Sequence, residues 1–278
     1  MKRGTANFKI LFLGTGTSAG VPMVACGCAV CSSRDPRDRR LRSSIYLKVG
    51  GLCILVDTSP DFRAQALRHK IARIDHLLVT HAHVDHLFGL DDVRCINTAQ
   101  KADIPLHAAP ETLRDIRRIF GYIFKKAGPG TYRPKLNLVP IKGPFSLDAP
   151  LGGKIEITPV PVVHGWTSTV GFVFDYAGLR FAYVPDCHDL LPESLALLEN
   201  LDLLALDTLK RGEHPTHLSL RRALDYIARI APRRALLTHI GHDFSHEALC
   251  GELADAGLDS ISPAYDGLAI DLSKEARR

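Results

Sequence analysis

Leu78-Val79-Thr80-His81-Ala82-His83-Val84-Asp85-His86 carries an apolar strand straight into three histidines and an aspartate within six residues. Side chains two apart on extended backbone face the same way, so His81 and His83 are spaced to grip one cation together. Asp85 and His86 fall where the chain turns into a helix and can point at a second cation nearby. Imidazole suits zinc, iron and similar ions, whereas carboxylate suits manganese or magnesium; a mixed set is the mark of two-metal hydrolysis. A lone histidine here would read as a solvated loop or a helix cap. Four donors at this density, directly after a buried strand, read as a metal site.

Short β-like runs recur on both sides of this segment, at Phe8–Leu13, Ser44–Val49, Cys53–Asp57, His76–Thr80, Lys154–Pro159, Val170–Tyr176, Arg180–Val184, Leu203–Asp207 and Arg234–Thr238. They are rich in Val, Ile, Leu, Phe and Tyr and bounded by Gly, Pro or Asp. Gly50-Gly51 and Ala177-Gly178 read as hairpin turns. Pro110–Lys126 has helix-terminal preferences at both ends, with Lys125 and Lys126 in its last turn before Gly128. Leu220–Ile230 repeats apolar residues at three and four, and Ser245 is placed to cap a helix running to Gly257. Strand-rich halves with helices outside imply α/β layers, sheets covered by helices.

The 278 residues are 46% hydrophobic and 23% charged, the profile of a soluble globular protein. No linker, repeat or low-complexity run divides them, so one domain over 1–278 is expected. The basic start Met1-Lys2-Arg3 precedes an apolar run too short for a signal peptide, and nothing approaches a membrane span. The expected location is the cytoplasm, where clustered cysteines suggest metal binding more than disulfides. A net charge of +5 leans toward an anionic substrate such as a phosphate ester.

Cys26-Gly27-Cys28-Ala29-Val30-Cys31 sets three thiols within six residues, and a tetrahedral zinc site needs one more N or S donor. His242 is the candidate. Such a site would tie the N-terminal loop to the segment around His239 and contribute stability rather than chemistry. Cys53, Cys95, Cys187 and Cys250 are isolated and read as small core residues.

The His-x-His-x-Asp-His segment resembles the signature of the metallo-β-lactamase superfamily, and the likeness extends along most of the chain. It implies an αββα sandwich and a pair of catalytic divalent metals. It also implies a ligand set: His81, His83 and His164 on one metal, Asp85, His86 and His239 on the other, and Asp186 bridging them. Taken singly, His164, Asp186 and His239 are each as readily a loop, turn or strand-end residue; their order and placement at strand ends argue against coincidence. The Cys-x-Cys-x-x-Cys segment with His239-x-x-His242, Gly14-Thr15-Gly16-Thr17-Ser18 and Gly89-Leu90-Asp91-Asp92-Val93-Arg94 look like one branch in particular. That branch contains the cyclic phosphodiesterase of the carbon–phosphorus lyase pathway, and it implies one structural zinc and manganese or zinc at the catalytic pair.

The expected chemistry is attack by a metal-bridging hydroxide on a small phosphodiester, a cyclic sugar or nucleotide phosphate. His217, just before a helix in a His-x-Ser setting similar to that of the family's phosphodiesterases, is the candidate general acid, with His214 the weaker rival. Asp57, Asp91 and Asp92 either orient ligand imidazoles or serve as turn and cap residues. Arg117 to Lys126, with Tyr132 and Arg133, mixes bases with aromatics; it either clamps a nucleotide or sugar phosphate, covers the site, or forms a solvated basic face. A tRNA 3′-processing endoribonuclease is the nearest alternative, but no long Gly- and Lys-rich arm is present, so nucleic acid is not favoured. A zinc-stabilised binding module without activity is disfavoured by the intact segment from His81 to His86. No membrane partner is expected, and the expected assembly is a homodimer.

Overall fold

The computed structural model describes residues 7–126, 128 and 130–275; the basic start Met1-Lys2-Arg3 lies outside them. The strands are β1 (Phe8–Gly14), β2 (Ser44–Val49), β3 (Leu52–Val56), β4 (His76–Leu78), β5 (Ile104–Ala108), β6 (Leu136–Pro140) and β7 (Phe145–Asp148). They continue with β8 (Lys154–Val162), β9 (Thr169–Tyr176), β10 (Leu179–Val184), β11 (Leu203–Asp207), β12 (Ala235–Thr238), β13 (Ile261–Pro263) and β14 (Ala269–Asp271). Two seven-stranded sheets result, ordered β14-β1-β2-β3-β4-β5-β6 and β13-β12-β11-β10-β9-β8-β7.

Each sheet is antiparallel in one half and parallel in the other, and the sequence shows why. The β2–β3 and β9–β10 hairpins close through Gly50-Gly51 and Ala177-Gly178, all at positive φ, as two-residue turns require. Along β1 the pattern alternates, with Phe8, Ile10 and Phe12 buried and Lys9 exposed. In the parallel half the central strand β11 is covered on both faces and reads as a continuous apolar run, every residue buried.

The helices are α1 (Phe62–Arg68), α2 (Val84–Leu87), α3 (Val93–Gln100), α4 (Pro110–Ile119), α5 (Gly121–Phe124), α6 (Pro192–Leu197), α7 (Leu220–Ile230), α8 (His246–Asp255) and α9 (Leu272–Glu275). Phe8, Phe12, Leu47, Phe172, Phe174 and Phe181 fill the space between the sheets. A second apolar cluster joins β10 to β12 with α7 and α8, and a third joins β3 to β5 with α3 and α4. Helix, sheet, sheet, helix is the αββα sandwich. No helix among the described residues is long and apolar enough to cross a membrane.

The helix expected over 110–126 is instead two. Phe120 leaves helical geometry at φ −105° and ψ 35° and buries its ring edge-on against Phe88, with centroids 5.6 Å apart. The second piece stops at Phe124 with Lys125 extended, so Lys125 and Lys126 complete no helical turn. Cys187 is a core residue as expected, but Cys95 is exposed and Cys53 and Cys250 are half-buried.

Phe181 packs at 6.1 Å in a stacked pair with Phe174 and at 6.4 Å edge-on to Phe8, joining the two sheets. Phe181→Ala is expected to cost about 3–5 kcal/mol of stability, read as a lower urea midpoint with unchanged slope.

Candidate metal centre

Every donor of the sequence-derived set lies where a strand stops at one edge of the sandwich. The chain leaving β4 carries His81 and His83 and enters α2, which bears Asp85 and His86. His164 follows β8, Asp186 follows β10 and His239 follows β12. His239 and Asp57 sit at φ +56° and +64°, sparsely populated conformations that turn their side chains inward at a cost of about 1–3 kcal/mol each.

Two groups of donor atoms form, each within 4.8 Å: His81, His83, His164 and Asp186, and Asp85, His86, Asp186 and His239. Asp186 belongs to both. Its Oδ2 lies 3.7 Å from His81 Nε2 and 3.4 Å from His164 Nε2, while its Oδ1 lies 3.0 Å from His86 Nε2 and 3.3 Å from His239 Nε2. Asp85 Oδ2 approaches His86 Nε2 at 3.2 Å and His239 Nε2 at 3.5 Å.

The outer partners fix which ring nitrogens face inward as lone pairs. His86 donates its Nδ1–H to Asp57 Oδ2 at 2.7 Å, and His164 donates its Nδ1–H to the Thr216 carbonyl at 2.8 Å. The Thr80 hydroxyl donates to Asp57 Oδ2 at 2.9 Å, so it accepts from His81 Nδ1 at 3.0 Å. The Nε2 atoms of His81 and His164 then face inward as lone pairs. His164 Nε2 lies 3.2 Å from His83 Nδ1, and the buried Nε2 atoms of His81, His86 and His239, with Asp186 Oδ1, make no hydrogen bond. Buried polar atoms that converge without hydrogen bonds are costly unless a cation sits among them, so the donor set fits divalent metal.

Around His81, His83 and His164 the electrostatics agree. Burial pushes His81 well below the usual imidazole value, lowers His83, and brings His164 down to about 4. These rings stay neutral, as metal ligands must. At His86 burial opposes charge, but Asp186, Asp85 and Asp57 outweigh it and hold the pKa well above the ordinary value.

His217 adjoins both groups, its ring stacked on His239 at 4.7 Å and edge-on to His164 at 4.8 Å. It donates Nδ1–H to Asp207 Oδ2 at 2.8 Å; burial works against its charge, but Asp207 prevails and lifts its pKa to about 9. His214 lies one ring further out, 5.2 Å from His217 and bonded to Thr216. Of the three uncertain aspartates, Asp57 contacts a donor imidazole, whereas Asp91 pairs with Arg94 and Tyr122 and Asp92 stands before α3. Asp207 escaped the sequence reading, although it ends an apolar strand just as Asp57 follows one.

Cys26, Cys28, Cys31 and His242 form a separate group. His242 Nδ1 lies 3.3 Å from Cys26 Sγ and 3.6 Å from Cys28 and Cys31 Sγ, a donor set that fits tetrahedral zinc. Beside it the fully buried Arg40 donates to the Gly241 and Phe244 carbonyls at 3.2 and 2.9 Å and to Asp38 at 3.1 Å. The N-terminal loop and the His239–His242 segment are thereby locked together. In the 117–133 segment, Arg117 lies over Phe124, Arg118 pairs with Asp115, and Arg94 covers Tyr132; residues 127 and 129 lie outside the described residues.

A sandwich with this edge site is that of a metal-dependent hydrolase, and the chain belongs to the metallo-β-lactamase superfamily: the family described as "Beta-lactamase superfamily domain" matches residues 53–240, which span every donor of the centre. Within it, the chain resembles a crystal structure described as a new diphosphatase from the PhnP family, with 37% identity and a TM-score of 0.83 over 95% of this chain and 97% of that one. An octanoyltransferase of Porphyromonas gingivalis is 34% identical over 275 residues, 97% of this chain, which spans only 53% of that protein's length. Zn(2+)-bound PqqB from Methylobacterium extorquens shares the fold, with a TM-score of 0.73 at 22% identity over 95% of this chain and all of that one.

Removal of metal by a strong chelator is expected to lower the melting temperature by about 5 °C or more, since each kcal/mol of lost binding shifts a chain this size by about 2–4 °C. Calorimetry before and after adding back divalent cation checks it.

Proposed function

We propose that the chain acts as one hydrolase domain, a dinuclear metal-dependent phosphodiesterase cleaving a small phosphodiester such as a cyclic sugar or nucleotide phosphate. In this reading His81, His83 and His164 hold one divalent cation, Asp85, His86 and His239 the other, and Asp186 lies between them. Manganese or zinc suits that mixed donor set, and Cys26, Cys28, Cys31 and His242 hold a structural zinc. Divalent cations bound there supply an activated water as nucleophile and neutralise charge on the phosphoryl oxygens.

The observation that carries a diester in particular is His217. Its Nδ1 is committed to Asp207, leaving Nε2 beside His164 and His239 to deliver a proton. A sugar alkoxide is a poor leaving group and needs that proton; a phosphate or aryloxide leaves far more readily without it. Asp207 is the positioning residue that keeps the ring in place.

A second reading, a diphosphatase, is favoured by the 37% identical structure that bears this description. Substrate tests on metal-loaded protein separate the two: an aryl phosphodiester, 2′,3′-cyclic nucleotides, ribose 1,2-cyclic phosphate, a nucleoside diphosphate and precursor tRNA. Cleavage of the small diesters is expected, with loss of turnover in Asp186→Ala. His217→Ala is expected to lower kcat about 10²–10⁴-fold for alkyl diesters and much less for the aryl diester. Turnover of the nucleoside diphosphate alone would move the assignment to the second reading, and turnover of tRNA alone to an endoribonuclease.

A further inference from the structure

His164 and Thr167 close a tight turn at the rim of the centre. The Thr167 N–H donates to the His164 carbonyl at 3.2 Å, and Gly165 takes a φ of +58°, which side-chain-bearing residues resist. Trp166 is the other corner residue. Both ends of the turn are tied to the centre: His164 Nε2 lies 3.4 Å from Asp186, and the Thr167 hydroxyl lies 2.9 Å from His83 Nε2. The backbone around Trp166 is therefore fixed while its indole stands wholly in solvent, with a relative exposure of 106%.

That placement is costly for a residue that ordinarily buries about 150–250 Å² of apolar surface. It is also accompanied. The chain leaving His83 presents Val84 and Phe88, 55% and 44% exposed, one turn apart and so on one face of the segment. Phe88 is held there by its edge-on contact with Phe120. Trp166 thus precedes the Thr167 that bonds His83, while Val84 and Phe88 follow His83 along the chain.

We propose that Trp166 is a stacking platform for the aromatic base of a nucleotide substrate, with Val84 and Phe88 lining the same approach to the centre. The inference rests on the phosphodiesterase reading and narrows it, because a bare sugar phosphate offers no flat face to an indole. Base–aromatic stacking is strong enough to set affinity and tolerant of base identity.

Trp166 is the only tryptophan in the chain, so its fluorescence reports on this position alone. Metal-loaded protein is titrated with 5′-AMP and, in parallel, with ribose 5-phosphate, which carries the same phosphate and no base. Saturable quenching by AMP and none by ribose 5-phosphate is the expected result. In kinetics, Trp166→Ala raises KM for 2′,3′-cyclic AMP roughly tenfold with kcat nearly unchanged and leaves KM for ribose 1,2-cyclic phosphate alone. Trp166→Phe retains most of the affinity.

An indole unmoved by AMP, or quenched equally by both probes, overturns the proposal. So does an emission maximum that shifts to the blue with protein concentration alone, which places the ring against a second copy of the chain. If AMP quenches but no phosphodiester is cleaved, the reaction assigned above fails and the platform stands. If diesters are cleaved and AMP leaves the indole unperturbed, the platform fails and the reaction stands.

Discussion

One buried carboxylate sets the terms for the rest of the molecule. Asp186 is almost entirely out of solvent, and each of its oxygens faces a different pair of imidazoles. Burial keeps His81 and His164 neutral, so without a cation Oδ2 meets two acceptors. Burial would push its proton affinity up, yet His239 and His86 outweigh that and hold Asp186 well below the ordinary carboxylate range. The surrounding structure exists to keep these groups converged. Asp57 and Thr80 hold His86 and His81, the Thr216 carbonyl holds His164, and strained backbone at Asp57 and His239 is tolerated for the same end.

The site was far more legible in the sequence than the sheets were. Histidine and aspartate are rare in apolar surroundings, so His81 to His86 stands out unaided, and the order of the later candidates follows from the family likeness. Strands that combine apolar runs with clear boundaries were also readable; Ser44–Val49 and Leu203–Asp207 match residue for residue. β5, β6 and β13 were not, since Pro105, Pro140 and Pro263 demote short runs that only parallel neighbours hold in place. β7 and β14 are four and three residues long and carry too little pattern to detect.

Other gaps have different causes. The break at Phe120 depends on the Phe88 ring, a partner 32 positions away that no local propensity reveals. Asp207 carries no signal of its own, because aspartate at a strand end is usually a turn residue, and only its contact with His217 distinguishes it. The Cys26–Cys31 cluster was readable as an incomplete tetrahedron, and the structure brings His242 to it across 211 residues of chain. What holds that approach firm, the buried Arg40 and its two carbonyl acceptors, carries no sequence signature at all.

The donors are divided between the two layers of the sandwich. His81, His83, Asp85 and His86 stem from the first sheet, and His164, Asp186 and His239 from the second. Neither layer owns enough of them to cradle an ion, so any ion that binds acts as a rivet through both. The spacing of the reactive edge is then inherited from how Phe8, Phe174 and Phe181 mesh far from it. Swapping one half for that of a distant cousin would preserve every candidate ligand by name and still mistune the gap between them.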